Sequence, residues 1–422
     1  MFVPERFLVH RLPFYFGWVV LAAVCCAGFA RQGPAVATLS MFIAPMSEEF
    51  GWSRTAISGA VSLAGVLAAL ATPLLGPLLD RYGARPMLAL AVLLTAAMAF
   101  GLAFTPSLAV FYLLYCTARM NFAGPFDLGI YGAVNNWFLR RRAFATGVAN
   151  LVQLLGLAAM PLIAYAAIAQ GGWRSGWLAV GATVLIVGFL PVLLFVARRP
   201  EDLGLRPDGA LAERDAGEGT GAGAERPDPV FTRAQALRTP AFWLLSLYTL
   251  LVYPVQAGVS LHQAPHLVER GLGAGTAALI VASFSLASAA SSLLFGLAAR
   301  RLGMRPSLAL SALSLALSTL ILMRVETAIG GYAGAVLFGL GIGGVLTLLP
   351  VAWADYFGRR SYGAIRGIAL SIQVLAQASG PLASGLLRDL SGDYALSLIL
   401  FTVLSLTAVA AAALARAPEP RS

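Results

Sequence analysis

Arg31, Arg119, Asn121 and Asp127 stand in stretches that are otherwise apolar, CAGFARQGPAVATLS around Arg31 and YCTARMNFAGPFDLGIYG at 115–132. A guanidinium offers a planar fork of donors that fits a carboxylate or phosphate and stays charged when partly dehydrated. Two such groups on one wall suit an anionic solute, and Asn121 adds a neutral hydrogen-bonding group beside them. A carboxylate in the same surroundings can carry a proton, with arginine and solute competing for it; its other reading is a fixed counter-charge. At 1.5 Å and 100° per residue, Asp127 lies about 12 Å along a helix from Arg119 and about 80° around it. The two can therefore share a cavity but cannot pair unless Gly124-Pro125 distorts the helix, as a proline-glycine step commonly does. Gln153, Gln256, Gln373, Gln377 and His262 are further polar side chains in apolar runs and complete the candidate binding set. Arg31 has a competing reading in which helix one breaks at Gly33-Pro34 and the side chain snorkels to the outer interface.

These residues are costly only if the segments cross a bilayer, and composition says that they do. The 422 residues are 59% hydrophobic and only 11% charged, with a mean hydropathy of +0.80, against about 25% charged residues in an average soluble domain. Apolar runs of about 20 residues, long enough for a hydrocarbon core of about 30 Å, recur along the chain. Twelve spans are expected near 14–44, 53–76, 86–105, 108–136, 143–169, 175–197, 241–267, 274–298, 306–323, 328–356, 363–387 and 394–415. The fold class is thus an all-α polytopic membrane protein. The first run is too long for a signal-peptide core and reads as a retained helix. Cys25, Cys26 and Cys116 all lie in apolar runs and imply no disulfide framework. The exception to short connections is 198–240, polar and rich in Gly, Pro and Ala, a solvated cytoplasmic linker between residues 1–197 and 241–422.

Every basic residue other than histidine is an arginine, and 22 of the 29 fall on one side if the N-terminus is cytoplasmic; that count takes in Arg366 with the loop arginines of 359–366. The asymmetry places both termini on the cytoplasmic side of the cell's inner (plasma) membrane, and it accounts for the net charge of +10 without nucleic acid. The two halves are also copies. GPLLDRYGARP at 76–86 is answered by GLAARRLGMRP at 296–306, and at the same displacement of 220 residues Gly147 meets Gly367, Gln153 meets Gln373 and Pro161 meets Pro381. Halves repeated with the same in/out sense are parallel repeats about an axis along the membrane normal, with a binding site expected between them at mid-depth.

GPLLDRYGARP resembles the signature loop between helices two and three of the major facilitator superfamily, and FGWVVLAAV, FGWSRTAIS, WFLRRRAFATGVA and GPLASGLLRDLSGDY are similar to its monocarboxylate porter and oxalate/formate exchanger branch. The likeness covers the chain outside the linker. It implies two six-helix bundles that rock about a central site, with Asp80, Arg81 and Arg85 as a cytoplasmic latch. It also implies that helices one and four line the cavity, which sets Arg31 and Arg119 on one wall. The alternative for Arg119 is a structural arginine, which proton-coupled relatives keep in helix four. One departure matters: the porters' substrate arginine of helix eight corresponds to the neighbourhood of Ser292, where this chain has no charge. In helix eleven, where the exchanger has a lysine, Gln373 and Gln377 stand instead.

Other classes fit poorly. No nucleophile–base pairing, metal-spaced cluster or G-x-x-x-x-G-K-[ST] sequence is present, so no enzyme, metal site, cofactor or ATP-driven pump is expected. A multidrug exporter of the same fold is the main competitor, but it would want an acidic, aromatic cavity. The expectation is a secondary transporter whose solute is a small organic anion, a carboxylate moved with a proton carried by Asp127; an organic-anion exchanger without proton coupling is the other alternative. Its partners are that solute, a proton and the lipid bilayer, and its expected state is a monomer.

Overall fold

A computed structural model describes residues 11–208 and 228–419. Among them every long element is a helix: α1 (Gly17–Ala30), α2 (Val36–Phe50), α3 (Arg54–Tyr82), α4 (Ala84–Leu102), α5 (Leu108–Ala123), α6 (Pro125–Trp137), α7 (Arg142–Phe195), the short α8 (Arg233–Leu237), α9 (Pro240–Glu269), α10 (Ala274–Leu302), α11 (Met304–Met323), α12 (Ala328–Phe357), α13 (Tyr362–Ser391) and α14 (Ala395–Leu414). Among the described residues eight helices are long and apolar enough to cross a membrane. Three expected spans fall outside these eight, and α7, one of the eight, holds two. Span one is α1 with α2, span four is α5 with α6, and spans five and six are the two parts of α7, divided where Gly171 and Gly172 leave helical geometry. Span eleven is α13, which carries Arg366, Arg388 and Asp389.

The helix starts follow from local chemistry. Ser107 opens α5 by accepting from the Val110 amide, and Thr327, 220 residues on, opens α12 by accepting from the Gly330 amide. A hydroxyl at this place satisfies an amide that has no partner inside its own helix. The repeat seen in sequence is thus also a repeat of caps.

Two compact units form. The first comprises the residues up to Ala145, Val152–Asp228 and Arg359–Ile368; the second comprises Thr146–Leu151, Pro229–Gly358 and Ala369 onward. In the first, α5 packs on α3 and α4, and α6 packs on α1 and α4. In the second, α12 packs on α10 and α11, and α14 packs on α9 and α11. Residues 209–227, the middle of the expected linker, lie outside the described residues.

One close approach explains a repeated glycine. A Cβ on Gly367 would stand 2.5 Å from the Thr72 carbonyl oxygen, inside the first unit. A Cβ on Gly147 would stand 2.5 Å from the Ser292 carbonyl oxygen, inside the second. Thr72 and Ser292 are themselves 220 residues apart. In each unit, a helix start rests directly on a neighbouring helix backbone, and only glycine leaves room.

Candidate functional site

Two helix breaks create the site. α1 ends at Ala30 and α2 begins at Val36, with Gly33 and Pro34 between them. α5 ends at Ala123, Gly124 takes φ −109° and ψ −87°, and Pro125 is the first residue of α6. The proline needs no amide partner at that position, so the chain can restart a helix there. Arg31 is consequently the C-terminal cap of α1, and Asp127 sits in the first turn of α6. The carbonyl end of a helix favours a cation and the amide end an anion. The break also answers the separation worked out for an unbroken helix: Asp127 pairs with residues from other helices, not with Arg119.

Arg31 Nη2 is 3.5 Å from Asp127 Oδ2, and Arg366 Nη2 donates to Asp127 Oδ1 at 3.3 Å. The sequence groups Arg366 with the loop arginines, but it is 1% exposed, in the second turn of α13, and belongs with this cluster. Arg31 is 9% exposed and Asp127 4%, so the guanidinium of Arg31 does not snorkel outward although its helix does break. Arg31 has three further contacts. Its Nε donates to the Phe122 carbonyl at 2.9 Å, its Nη1 donates to Gln153 Oε1 at 2.7 Å, and its guanidinium carbon lies 4.4 Å from the centre of the Phe122 ring. Gln153 Nε2 in turn donates to the Tyr131 hydroxyl at 3.4 Å.

Arg119 lies over the same Phe122 ring at 3.9 Å and has no acidic partner among the described residues. Its Nη1 and the Nδ2 of buried Asn121 have no hydrogen-bond partner among the described residues. A dehydrated donor left unpaired costs about 1–3 kcal/mol, more when charged. The cluster therefore sets three guanidiniums against one carboxylate, and on Arg119 and Asn121 it holds donors without an acceptor.

A family model described as Major Facilitator Superfamily matches residues 20–269 and 258–422. The chain belongs to the major facilitator superfamily. It is similar to human monocarboxylate transporter 11, 29% identical over 399 residues that cover 91% of this chain and 79% of the relative. It is similar also to the oxalate:formate antiporter of Oxalobacter formigenes, 25% identical over 340 residues covering 77% and 75%. In fold it resembles the proton:xylose symporter XylE, with a TM-score of 0.73 at 14% identity and coverage of 94% of both chains. The human organic anion transporter MFSD10 gives 0.69 at 17% identity, covering 94% of this chain and 98% of that one. The protein is accordingly a multi-pass membrane transporter with the superfamily's two six-helix halves, and not an enzyme.

The signature loop of the superfamily has its own geometry in the first unit. Asp80 Oδ1 accepts from the Gly363 amide at 2.7 Å and Oδ2 from the Ala364 amide at 2.8 Å, so its carboxylate caps the start of α13. Arg85 Nε donates to the Val196 carbonyl at 2.6 Å, and exposed Arg81 lies 5.2 Å from the Tyr82 ring centre. Beside them, Asp208 accepts from the Leu139, Arg140 and Arg141 amides ahead of α7. Asp228 binds both Arg142 and Arg359. Both aspartates fall in the stretch 198–240 that composition marks as a solvated linker, yet each has partners in the first unit.

The other candidate residues of this transporter belong to the second unit. Gln377 Nε2 donates to Gln256 Oε1 at 3.0 Å, and Gln373 is buried. His262 has one ring nitrogen 3.2 Å from the Pro381 carbonyl and the other 3.2 Å from the Tyr394 hydroxyl. A carbonyl only accepts, so Nε2 carries the hydrogen and Nδ1 accepts from tyrosine. Both nitrogens are therefore engaged inside the unit.

Proposed function

We propose that this transporter moves a small organic anion, a carboxylate, together with a proton, by alternating access of its two halves. The observation that carries the reading is Arg119: a charged side chain at a span's centre costs about 2.5–3.5 kcal/mol even on the lenient insertion scale, and this one has no acidic partner among the described residues. Arg119 and Arg31 share Phe122 as a platform, and Asn121 adds a neutral donor. Gln153 steadies Arg31 from the far side. The names of the two sequence relatives, one a monocarboxylate transporter and one an oxalate:formate antiporter, support the same solute class.

Asp127 is the proton carrier in this reading. When the solute occupies Arg31, the carboxylate loses part of its compensation and takes up a proton; departure of the solute restores the ion pair and releases it. Asp80, Arg81 and Arg85 act as the latch, because the Asp80 cap on α13 must break if that helix start moves. The arginine-rich loops support both termini on the cytoplasmic face of the inner (plasma) membrane, and the protein acts as a monomer.

The test is reconstitution in proteoliposomes, with uptake of radiolabelled formate, lactate, oxalate and succinate under an imposed pH gradient and, separately, against internal unlabelled solute. Accumulation driven by the gradient supports symport. Exchange without a response to the gradient removes the proton, and transport of organic cations with none of the four carboxylates removes the anion reading.

A further inference from the structure

Arg366 is the cluster member that neither motif nor composition singles out, and its geometry differs from that of Arg31. Arg31 is held in place by three contacts that do not involve Asp127: the Phe122 carbonyl, Gln153 and the Phe122 ring. Its approach to Asp127, at 3.5 Å, and that of Arg366, at 3.3 Å, are both long beside the 2.7–2.9 Å typical of a charge-assisted hydrogen bond, so neither pair is locked. An anion can displace the carboxylate from Arg31 without moving Arg31. Asp127 then keeps one cation, since its other oxygen accepts from Arg366. Arg366 lies in the stretch Arg359–Ile368, which packs with the first unit, while from Ala369 the same helix packs with the second. The start of that helix is also where Asp80 caps two amides and where Gly367 rests on the Thr72 backbone.

We propose that Arg366 is a positioning residue that receives Asp127 when a substrate carboxylate takes Arg31, so that occupancy of the anion site is transmitted to α13. The inference rests on the anion-site reading given above and adds to it the route by which binding reaches a helix running through both units. Arg366 does not touch the solute; it acts through Asp127. Removing it should leave recognition intact and impair the step that follows.

The experiment uses the purified full chain with Arg366→Gln, Arg366→Lys, Asp127→Asn and the double variant Asp127→Asn/Arg366→Gln. Thermal stabilisation by formate, lactate, oxalate and succinate reads binding, and proteoliposome uptake reads the cycle. Arg366→Gln is expected to keep the apparent affinity of the stabilising carboxylate within about threefold and to lower its maximal net uptake by at least about tenfold, a split that marks loss of an interaction made after binding. Arg366→Lys should recover part of the uptake, because an ammonium retains the charge without the fork. The double variant should be no slower than Asp127→Asn alone, since residues acting through one contact are not additive. An additive loss in the double variant, or loss of affinity equal to the loss of uptake in Arg366→Gln, overturns the proposal while leaving the anion site standing. If none of the four carboxylates stabilises the wild type, the anion reading itself fails and this proposal falls with it. If Arg366→Gln does not fold, the double variant and Arg366→Lys still decide: uptake in the double variant at the Asp127→Asn level together with partial uptake in Arg366→Lys supports the role, and any other outcome refutes it.

Discussion

Replacing Gly367 by alanine puts a methyl carbon 2.5 Å from the Thr72 carbonyl oxygen, where ordinary van der Waals contact begins at 3.4 Å. The start of α13 or the middle of α3 must therefore yield by about 0.9 Å, the difference of those two distances. The obstacle is backbone, so no side chain can rotate away. Overpacking of this kind typically costs about 1–3 kcal/mol, against about 0.8–1.0 kcal/mol gained because alanine is the better helix former. The net expectation is a loss of up to about 2 kcal/mol. Gly147→Ala should lose a similar amount, because its methyl would meet the Ser292 carbonyl at the same 2.5 Å. Gly385 lies in the same helix as Gly367, and a Cβ there would meet nothing within 4 Å. Gly385→Ala is thus a matched control and should be neutral or stabilising. The assay is thermal unfolding of the three variants in one detergent, with proteoliposome uptake alongside. Equal stability of Gly367→Ala and Gly385→Ala would refute the claim that glycine is needed for close approach.

Asp80→Asn keeps one acceptor at the start of α13 but removes the charge, so it should cost about 1 kcal/mol of stability; it should slow uptake more than it weakens carboxylate-induced stabilisation. Asp208→Ala strips the acceptor from three successive amides ahead of α7 and should raise the protease sensitivity of the 138–141 loop in limited digestion. The Arg174 guanidinium, with help from the Trp173 indole, holds the exposed carboxyl of Glu49 below the usual carboxylate range. A depressed carboxyl contributes stability that is present above its unfolded value and lost as pH falls through the folded one. Glu49→Gln should therefore flatten the acid side of the thermal-stability profile, lowering stability slightly at neutral pH and leaving the strongly acid end unchanged.

Much of the fold could be read from the sequence, because apolar length and turn residues are local signals. The Gly124-Pro125 step is legible as a distortion, and the 220-residue register of Gly147 with Gly367 is legible as a repeat, while the backbone approach at each of them is visible only in the structure. The partners of Asp127 were not readable. Arg31 is 96 positions earlier in the chain and Arg366 is 239 positions later, and no periodicity links residues so far apart. Arg366 was further disguised by its neighbours, since Arg359 and Arg360 stand just ahead of it in a basic loop. Asp208 and Asp228 were hidden by composition: in a stretch rich in Gly, Pro and charge, nothing local distinguishes an aspartate that caps a helix start from one in water.

The most direct test of the central claim is carboxylate-induced thermal stabilisation of wild type against Arg119→Ala. A ligand at 100 times its dissociation constant stabilises by about 2.7 kcal/mol, well within reach of such a measurement. At least one of formate, lactate, oxalate and succinate should stabilise the wild type, Arg119→Ala should abolish the effect while still folding in the membrane, and Arg119→Lys should restore only part of it. Undiminished stabilisation and uptake in Arg119→Ala would contradict the account and leave Arg119 a structural residue.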